Sequence, residues 1–337
     1  MKIQLLIATE DCDYAEHLSN TFAEDHSDAI EVCVCSTADH LREQLEARKF
    51  DVALLESSLI GEADMQSIRL PLLLWSDEEN TQAAPEEYMK VFKYQRISSM
   101  ISNVLELFAK GLPNERGSFS KRAGITVVWS PMGGVGKTTV ALAYSARKAS
   151  EGKQVLFLDL EPFSSVSAYF PDEGKSISTV FEMLETGEGN INVLIRSIRQ
   201  QSGSGDIEYF CKPENFDDMN ILTTDNVAAL IEACSEATDE LVIDMSCTCD
   251  ERTRKVFDLA DRIFLVTDSS RTAQIKFSQF ASQHNVFQRI REKTTLVANR
   301  GAVVGESLAD TVIYLPYVQA TDAAAIYRTL SSVSFEA

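Results

Sequence analysis

Short apolar runs alternate with helix-length amphipathic segments along the whole chain. Runs of this length between polar segments predict buried parallel strands wrapped by helices, which is an α/β fold. In the first 110 residues the pattern predicts five strands, at Ile3–Ala8, Ile30–Cys35, Asp51–Glu56, Leu70–Trp75 and Met89–Lys93. It also predicts helices at Asp13–Glu24, Ala38–Lys49 and Ile97–Phe108.

The same alternation begins again at Ile125, after a stretch that reads KGLPNERGSFSKRAG. This stretch is rich in Gly, Ser, Pro and charge, the composition of a linker. A length of 337 residues also suits two domains better than one. The sequence therefore predicts a first domain at 1–110, a linker at 111–123 and a second domain at 124–337.

The chain carries 51 acidic and 31 basic residues, a formal charge of −20. A surface this acidic repels phosphate backbones and anionic lipid, so we expect no direct nucleic-acid contact. The start, MKIQLLIATED, has too short an apolar run for a signal peptide, and no stretch is apolar enough for an integral membrane segment. We therefore expect a cytoplasmic protein.

The seven cysteines are an odd number without the spacing of a disulfide framework. Cys33/Cys35 and Cys247/Cys249 form C-x-C pairs, but no second pair or histidine cluster completes a zinc site. We expect buried or inert thiols.

The segment Ile125–Thr139, ITVVWSPMGGVGKTT, leads from a strand through a glycine loop into a helix predicted at Thr138–Ala149. Glycines let the backbone curl so that successive N–H groups point at one centre, and the helix aims its positive end there. This context predicts a phosphate loop for a nucleoside triphosphate with Mg²⁺. Its candidate binding residues are Met132, Gly133, Gly134, Val135, Gly136, Lys137, Thr138 and Thr139.

Within this loop, Lys137 supplies a point charge between the β- and γ-phosphates. The Thr138 hydroxyl is placed to ligate Mg²⁺, and Thr139 is placed to meet the α-phosphate.

The general phosphate-loop pattern is G-x-x-x-x-G-K-[ST], but its first glycine position is Pro131 here. The loop resembles instead the deviant Walker A motif of the ParA/MinD family of ATPases, usually K-G-G-x-G-K-[ST]. Further segments resemble that family's landmarks in the expected order, namely Val155–Leu160 with Glu161-Pro162, Leu241–Asp244, Ala260–Val266, Leu296–Arg300 and Leu315–Tyr317. The resemblance covers about 124–328 and implies a P-loop NTPase domain with a mostly parallel sheet.

The resemblance also implies roles for single residues. Asp244, as the Walker B aspartate, would hold the Mg²⁺ water shell, with Asp159 supporting the metal. Asn299 would hydrogen-bond the adenine edge beside Arg300, and the backbone around Pro316 would line the base pocket. ATP with Mg²⁺ is thus the expected cofactor, although an Asp or Asn at a strand end is also commonly a cap.

Two departures from the family pattern bear on catalysis by Lys137, Asp159 and Glu161. Met132 stands where the family has its signature lysine, which reaches the phosphates of the partner subunit. Glu161 stands where the family has its catalytic aspartate. The extra methylene shifts the carboxylate, and a misplacement of that size can cost about a hundredfold in rate. We therefore expect ATP binding with slow or negligible hydrolysis.

The element order of the first domain resembles the receiver domain of response regulators, a doubly wound, flavodoxin-like fold. Glu10 and Asp11 fall at the receiver's acidic pair, Lys93 at its lysine and Ser76 near its hydroxyl switch. Glu56, however, stands where receivers carry the phospho-accepting aspartate, and Tyr94 replaces a usual proline. This implies a pseudo-receiver used for contacts, in which a Glu56–Lys93 ion pair holds one fixed state. A plain structural α/β domain stays the alternative.

A receiver-like domain fused before a deviant-Walker ATPase resembles the TadZ/CpaE branch of pilus-assembly proteins. That implies a scaffold that marks a cell pole or is recruited to the inner face of the membrane by partners, with pilus and secretion assembly proteins as those partners. It also implies a homodimer in the ATP state. The alternatives are a cycling ParA/MinD-type ATPase for flagellar number, partition or division, and a signalling protein whose first domain accepts phosphate.

Overall fold

A computed structural model of the chain describes residues 2–26, 30–61, 63–76, 88–111, 123–203, 206–236, 238–304, 310–320 and 322–335. The side chains of residues 23–26 and 98 are not among them. The chain divides into two units, Met1–Pro113 and Asn114–Ala337. The division falls within the predicted linker at 111–123, of which residues 112–122 lie outside the described part of the chain.

The five apolar runs of the first unit form one parallel sheet. Its strands are β1 (Ile3–Ala8), β2 (Ile30–Cys35), β3 (Phe50–Glu56), β4 (Ile68–Trp75) and β5 (Met89–Phe92). They lie in the order β2-β1-β3-β4-β5, and every neighbouring pair is parallel. This is the flavodoxin-like doubly wound order, in which ligand sites lie at the carboxyl ends of the strands.

The helices of the first unit are α1 (Cys12–His26), α2 (Ala38–Ala47), α3 (Ser57–Ile60) and α4 (Ile97–Lys110). Helix α2 ends two residues before the predicted Lys49 because Arg48 is extended, with φ at −155°. Leu41 and Leu45 of α2 pack with Leu6 and Leu55 in one apolar core. The sheet and its helices thus bury the apolar runs that the sequence singles out.

The second unit contains an eight-stranded sheet. Its strands are β6 (Gly124–Trp129), β7 (Val155–Leu160), β8 (Gln200–Gln201), β9 (Ile207–Tyr209), β10 (Glu240–Met245), β11 (Arg262–Thr267), β12 (Thr294–Ala298) and β13 (Val312–Tyr314). The order is β13-β12-β11-β6-β10-β7-β9-β8, and all neighbours are parallel except β8 and β9. Strands β7 and β10 are buried along their whole length, as expected for a parallel sheet covered on both faces.

The helices of the second unit are α5 (Lys137–Ser150), α6 (Ser178–Thr186), α7 (Ile191–Ile198), α8 (Asp218–Ile221), α9 (Thr224–Ser235), α10 (Glu251–Leu259), α11 (Arg271–Ala281), α12 (His284–Ile290) and α13 (Ala323–Leu330). Across the described parts of both units, no helix has the length and apolar character needed to cross a bilayer.

The sheet order places the predicted site residues at one edge. Strand β10 lies between β6 and β7, so the loop after β6, the end of β7 and the end of β10 meet there. Asp244 pairs in register with Asp159 across β10 and β7. Strand β12 ends at Ala298, which leaves Asn299 and Arg300 just beyond the strand rather than in it.

Candidate functional site

The loop between β6 and α5 has the backbone shape that the glycines predict. Gly134 and Gly136 take left-handed φ values of 74° and 89°, which residues with a side chain rarely adopt. A Cβ on Gly136 would lie 2.6 Å from the Asn299 amide nitrogen. Glycine is therefore required at 136 by both conformation and space.

The start of the loop is fixed from inside the unit. The Ser130 hydroxyl donates to the Val266 carbonyl at 2.7 Å and accepts from the Met132 N–H at 3.2 Å. Met132 is 3% exposed and belongs to the apolar core with Val135 and Val140. The position where the resembling family has a lysine is thus a core position in this structure.

Asn299 and Arg300 contact the other side of the loop. The Asn299 Nδ2 donates to the Val135 carbonyl at 2.8 Å, and its Oδ1 accepts from the Arg300 N–H at 2.8 Å. The Arg300 guanidinium donates to the Gly134 carbonyl at 2.7 Å. The predicted adenine reader thus contacts the phosphate loop.

Lys137, the first residue of α5, lies inside the loop and is 7% exposed. Its Nζ lies 3.1 Å from the Glu161 Oε1, just beyond the end of β7. The charge that the sequence assigns to phosphate is therefore paired with a carboxylate of the chain itself.

Three carboxylates, those of Asp159, Glu161 and Asp244, each have an oxygen within 4.8 Å of the others. The Glu161 N–H donates to Asp159 Oδ1 at 2.8 Å. Within the described residues, Asp159 Oδ2 and both oxygens of Asp244 lack a hydrogen-bond partner of ordinary geometry. Unpartnered, buried carboxylate oxygens fit a hard divalent cation such as Mg²⁺.

The electrostatics of this trio also favour a cation. Burial raises the pKa of Asp244 well above its ordinary value, and the neighbouring charges of Asp159 and Glu161 raise it further, while the Thr138 side chain opposes the rise. Burial likewise raises the pKa of Asp159, to about 7. Like charges held this close are costly without a compensating positive charge.

Other predicted residues lie at the rim of the same edge. The Thr139 hydroxyl shares a hydrogen bond of 2.7 Å with the Tyr169 hydroxyl. No motif or spacing in the sequence points to this partner. Leu315 accepts from the Gly301 N–H at 2.9 Å, which brings the segment of Pro316 beside Asn299 and Arg300. The structure thus places the phosphate loop, the three carboxylates and the segments of Asn299 and Leu315 at the carboxyl ends of the strands of one sheet.

The first unit has a polar cluster at the carboxyl ends of its own strands. Glu56 is 6% exposed and accepts from the Lys93 ammonium at 2.7 Å, the Thr9 hydroxyl at 2.7 Å and the Glu10 N–H at 2.8 Å. Asp11 lies 3.6 Å from the same ammonium. The predicted Glu56–Lys93 ion pair is present.

Three further observations describe this cluster. Burial raises the pKa of Glu56, but the hydrogen bonds from Lys93, Thr9 and Glu10 outweigh it, so the pKa is lowered. The Tyr14 hydroxyl donates to the Lys93 carbonyl at 2.6 Å. Glu10 is exposed and Ser76 is buried.

The seven cysteines are free thiols of mixed exposure, of which Cys35, Cys211 and Cys234 are buried. Cys12, Cys247 and Cys249 are exposed because they lie at the start of α1 and in the loop after β10. Among described residues, no group of three metal-ligating side chains includes a cysteine.

Comparison with known proteins supports a P-loop ATPase fold for the second unit. Residues 126–239 match the family model of the anion-transporting ATPase. The structure is similar to that of a ParA family ATPase from Chlorobium tepidum TLS, at 16% identity and a TM-score of 0.52, over 62% of this chain and 90% of that one. At this identity the similarity shows the fold.

Two other solved structures are similar at lower scores. A putative plasmid partition protein from Borrelia burgdorferi B31 bound to AMPPNP has 14% identity and a TM-score of 0.49, over 64% of this chain and 93% of that one. The septum site-determining protein MinD from Pyrococcus horikoshii OT3, complexed with Mg-ADP, has 14% identity and a TM-score of 0.46, over 62% and 94%. No curated protein sequence matches the chain.

Proposed function

We propose that the second unit binds ATP with Mg²⁺ and that the chain is a nucleotide-dependent scaffold or localisation protein for tight-adherence pilus assembly, with slow or no hydrolysis. The observation that carries the nucleotide site is the left-handed glycine loop around Lys137, with three carboxylates gathered opposite it. The match of residues 126–239 to an ATPase family model also supports a nucleotide site in the second unit.

Each group has a distinct task in this proposal. The first N–H groups of α5 and the Lys137 ammonium bind the phosphates. Asp159 and Asp244 hold the cation or its water shell, with the Thr138 hydroxyl beside them. Bound Mg²⁺ neutralises phosphate charge. Glu161 leaves Lys137 when phosphate arrives, because both negative groups compete for one ammonium.

Slow hydrolysis follows from two side chains. Met132 brings no charge and is buried in the core, so it cannot supply the contact that a signature lysine makes with a partner subunit. Glu161 keeps a carboxylate at the end of β7, but it is one methylene longer than aspartate and pairs with Lys137. Positioning of an attacking water is therefore weak.

The scaffold role rests on the domain architecture. The first unit has a flavodoxin-like sheet, and Glu56 and Lys93 form an ion pair at the carboxyl ends of its strands. A glutamate that is already paired with the lysine suits a contact domain better than a phosphorylation switch. We propose that ATP favours a homodimer, that pilus and secretion assembly proteins are the partners, and that the protein acts in the cytoplasm at a pole or beneath the membrane.

Light scattering with and without MgATP tests this proposal. We expect the measured mass of the wild type to double with MgATP, and that of a Lys137→Ala variant to stay at the mass of one chain. A Lys148→Ala variant is the matched control, because Lys148 lies on the same helix but pairs with Glu151. An unchanged mass with and without nucleotide in the wild type would contradict the proposal.

A cycling ATPase that regulates flagellar number, partition or division is the second candidate. The retained carboxylate of Glu161, within 4.8 Å of two others, favours it. ATP turnover separates the two functions. Turnover of several per second, or strong stimulation by DNA, lipid vesicles or a partner, would favour the cycling ATPase.

A further inference from the structure

Two consecutive residues beyond β12 hold two consecutive carbonyls of the phosphate loop. Asn299 Nδ2 donates to Val135 O at 2.8 Å, and the Arg300 guanidinium donates to Gly134 O at 2.7 Å. The backbone N–H of Asn299 in turn donates to Thr267 O at 2.8 Å, which ties this pair to β11. The loop is therefore braced by the neighbouring strands of its own sheet.

Bracing the carbonyls fixes the direction of the amides. In a trans peptide the C=O and the N–H of the same plane point in opposite directions, and the described residues contain no cis bond. Holding Gly134 O and Val135 O toward β12 therefore turns the N–H groups of Val135 and Gly136 away from it. Those N–H groups belong to the run that forms the anion-binding concavity.

The Asn299 side chain is committed to this task. It is 5% exposed, its Nδ2 donates to the loop and its Oδ1 accepts from the Arg300 N–H. Its amide also fills the space that a Cβ on Gly136 would need. These contacts leave little of the amide open to a nucleobase.

Arg300 adopts a conformation that its contacts explain. Its φ of 58° is in the left-handed region, which is unfavourable for a residue with a long side chain. The guanidinium donates to Gly134 O and lies 3.5 Å from the Asp268 carboxylate, while half of the side chain stays exposed. Strain of this kind is kept where the surrounding contacts require it.

We propose that Asn299 and Arg300 are positioning residues that set the phosphate-binding amides of the loop, and that Asn299 serves this role rather than reading the adenine edge. The inference rests on the proposed nucleotide site. It assigns the two residues to recognition of phosphate, which every nucleotide shares, so their loss affects a ligand without a base as much as ATP.

Paired titrations with MgATP and with magnesium tripolyphosphate test the proposal. For Asn299→Ala and Arg300→Ala we expect each affinity to fall about tenfold, the value of one hydrogen bond of this type, with the ratio of the two affinities unchanged. Arg300→Lys should recover part of the loss. Arg291→Ala, whose arginine pairs with exposed Asp310 at the other end of β12, is the matched control and should bind both ligands normally.

A loss confined to ATP would overturn the proposal, because it would show that the side chains read the base. Amide chemical shifts of Val135 and Gly136 in the nucleotide-free protein give a second, ligand-independent readout. We expect both shifts to change in the Arg300→Ala variant, whose side chain is half exposed, and not in Arg291→Ala. Unchanged shifts would also overturn the proposal. If the wild type bound neither ligand, the nucleotide site would fail while the shifts still tested the bracing.

Discussion

The ion pair between Lys137 and Glu161 makes a quantitative prediction about nucleotide affinity. In the structure the Glu161 carboxylate lies 3.1 Å from the ammonium that the proposed function assigns to phosphate. Bound phosphate must displace it. A Glu161→Gln substitution removes the competing charge and keeps the shape of the side chain, so we expect it to strengthen binding of a nucleotide without metal.

The size of the effect follows from the burial of the pair. A hydrogen bond between charged groups contributes about 1.5–3 kcal/mol. The Lys137 side chain is 7% exposed but that of Glu161 is 21% exposed, so the lower end of this range applies. About 1.5 kcal/mol corresponds to roughly a tenfold lower Kd. With excess Mg²⁺ the gain should be smaller, because the substitution also takes a carboxylate from the trio of Asp159, Glu161 and Asp244.

Isothermal titration of ATP in EDTA and in excess Mg²⁺ measures both effects. The matched control is Glu182→Gln, an exposed carboxylate on α6. If Glu161→Gln binds metal-free ATP no more tightly than the wild type does, the Glu161 carboxylate does not compete with phosphate for Lys137.

Three further predictions concern stability and turnover. Lys93→Met leaves the buried Glu56 carboxylate without its cation and should destabilise the first unit by about 3–5 kcal/mol in chemical denaturation. Lys110→Met removes an ammonium that is half exposed and should cost much less. A loss below about 1 kcal/mol for Lys93→Met would contradict this. Because the pKa of Glu56 is lowered below 4.5, its contribution to stability is present above that pH and is lost as pH falls through the folded pKa. The free energy of unfolding of Glu56→Gln should therefore depend less steeply on pH below 4.5 than that of the wild type. Equal slopes for the two proteins would argue against this. Met132→Lys buries a charge in the core and should lower the stability of the second unit by roughly 2–4 kcal/mol, with no gain in ATP turnover. A rise in turnover at unchanged Tm would show instead that the lysine leaves the core and reaches the phosphates.

Much of the fold follows from local pattern. The apolar run VLFLDL predicts a strand at Val155–Leu160 and the structure has it there, because a strand buried on both faces is apolar throughout. The glycine loop is predicted equally well, since the conformations of Gly134 and Gly136 are available to few other residues.

The site is predicted less completely because its contacts depend on tertiary register. Asp159 and Asp244 lie close together because they pair in register across β7 and β10. Their positions near the ends of two predicted strands already indicate this. The orientation of Asn299 toward the loop depends instead on where β12 ends relative to β6, which no local pattern encodes. The burial of Met132 likewise depends on how Ser130 is anchored to β11.

Every proposed role of the second unit depends on binding of MgATP by its glycine loop. Isothermal calorimetry with millimolar MgATP measures this binding. We expect saturable heat with one site per chain in the wild type, and its loss in Lys137→Ala with the fold intact by circular dichroism. Absence of heat in the wild type, or unchanged binding in the variant, would show that the loop is not an ATP site.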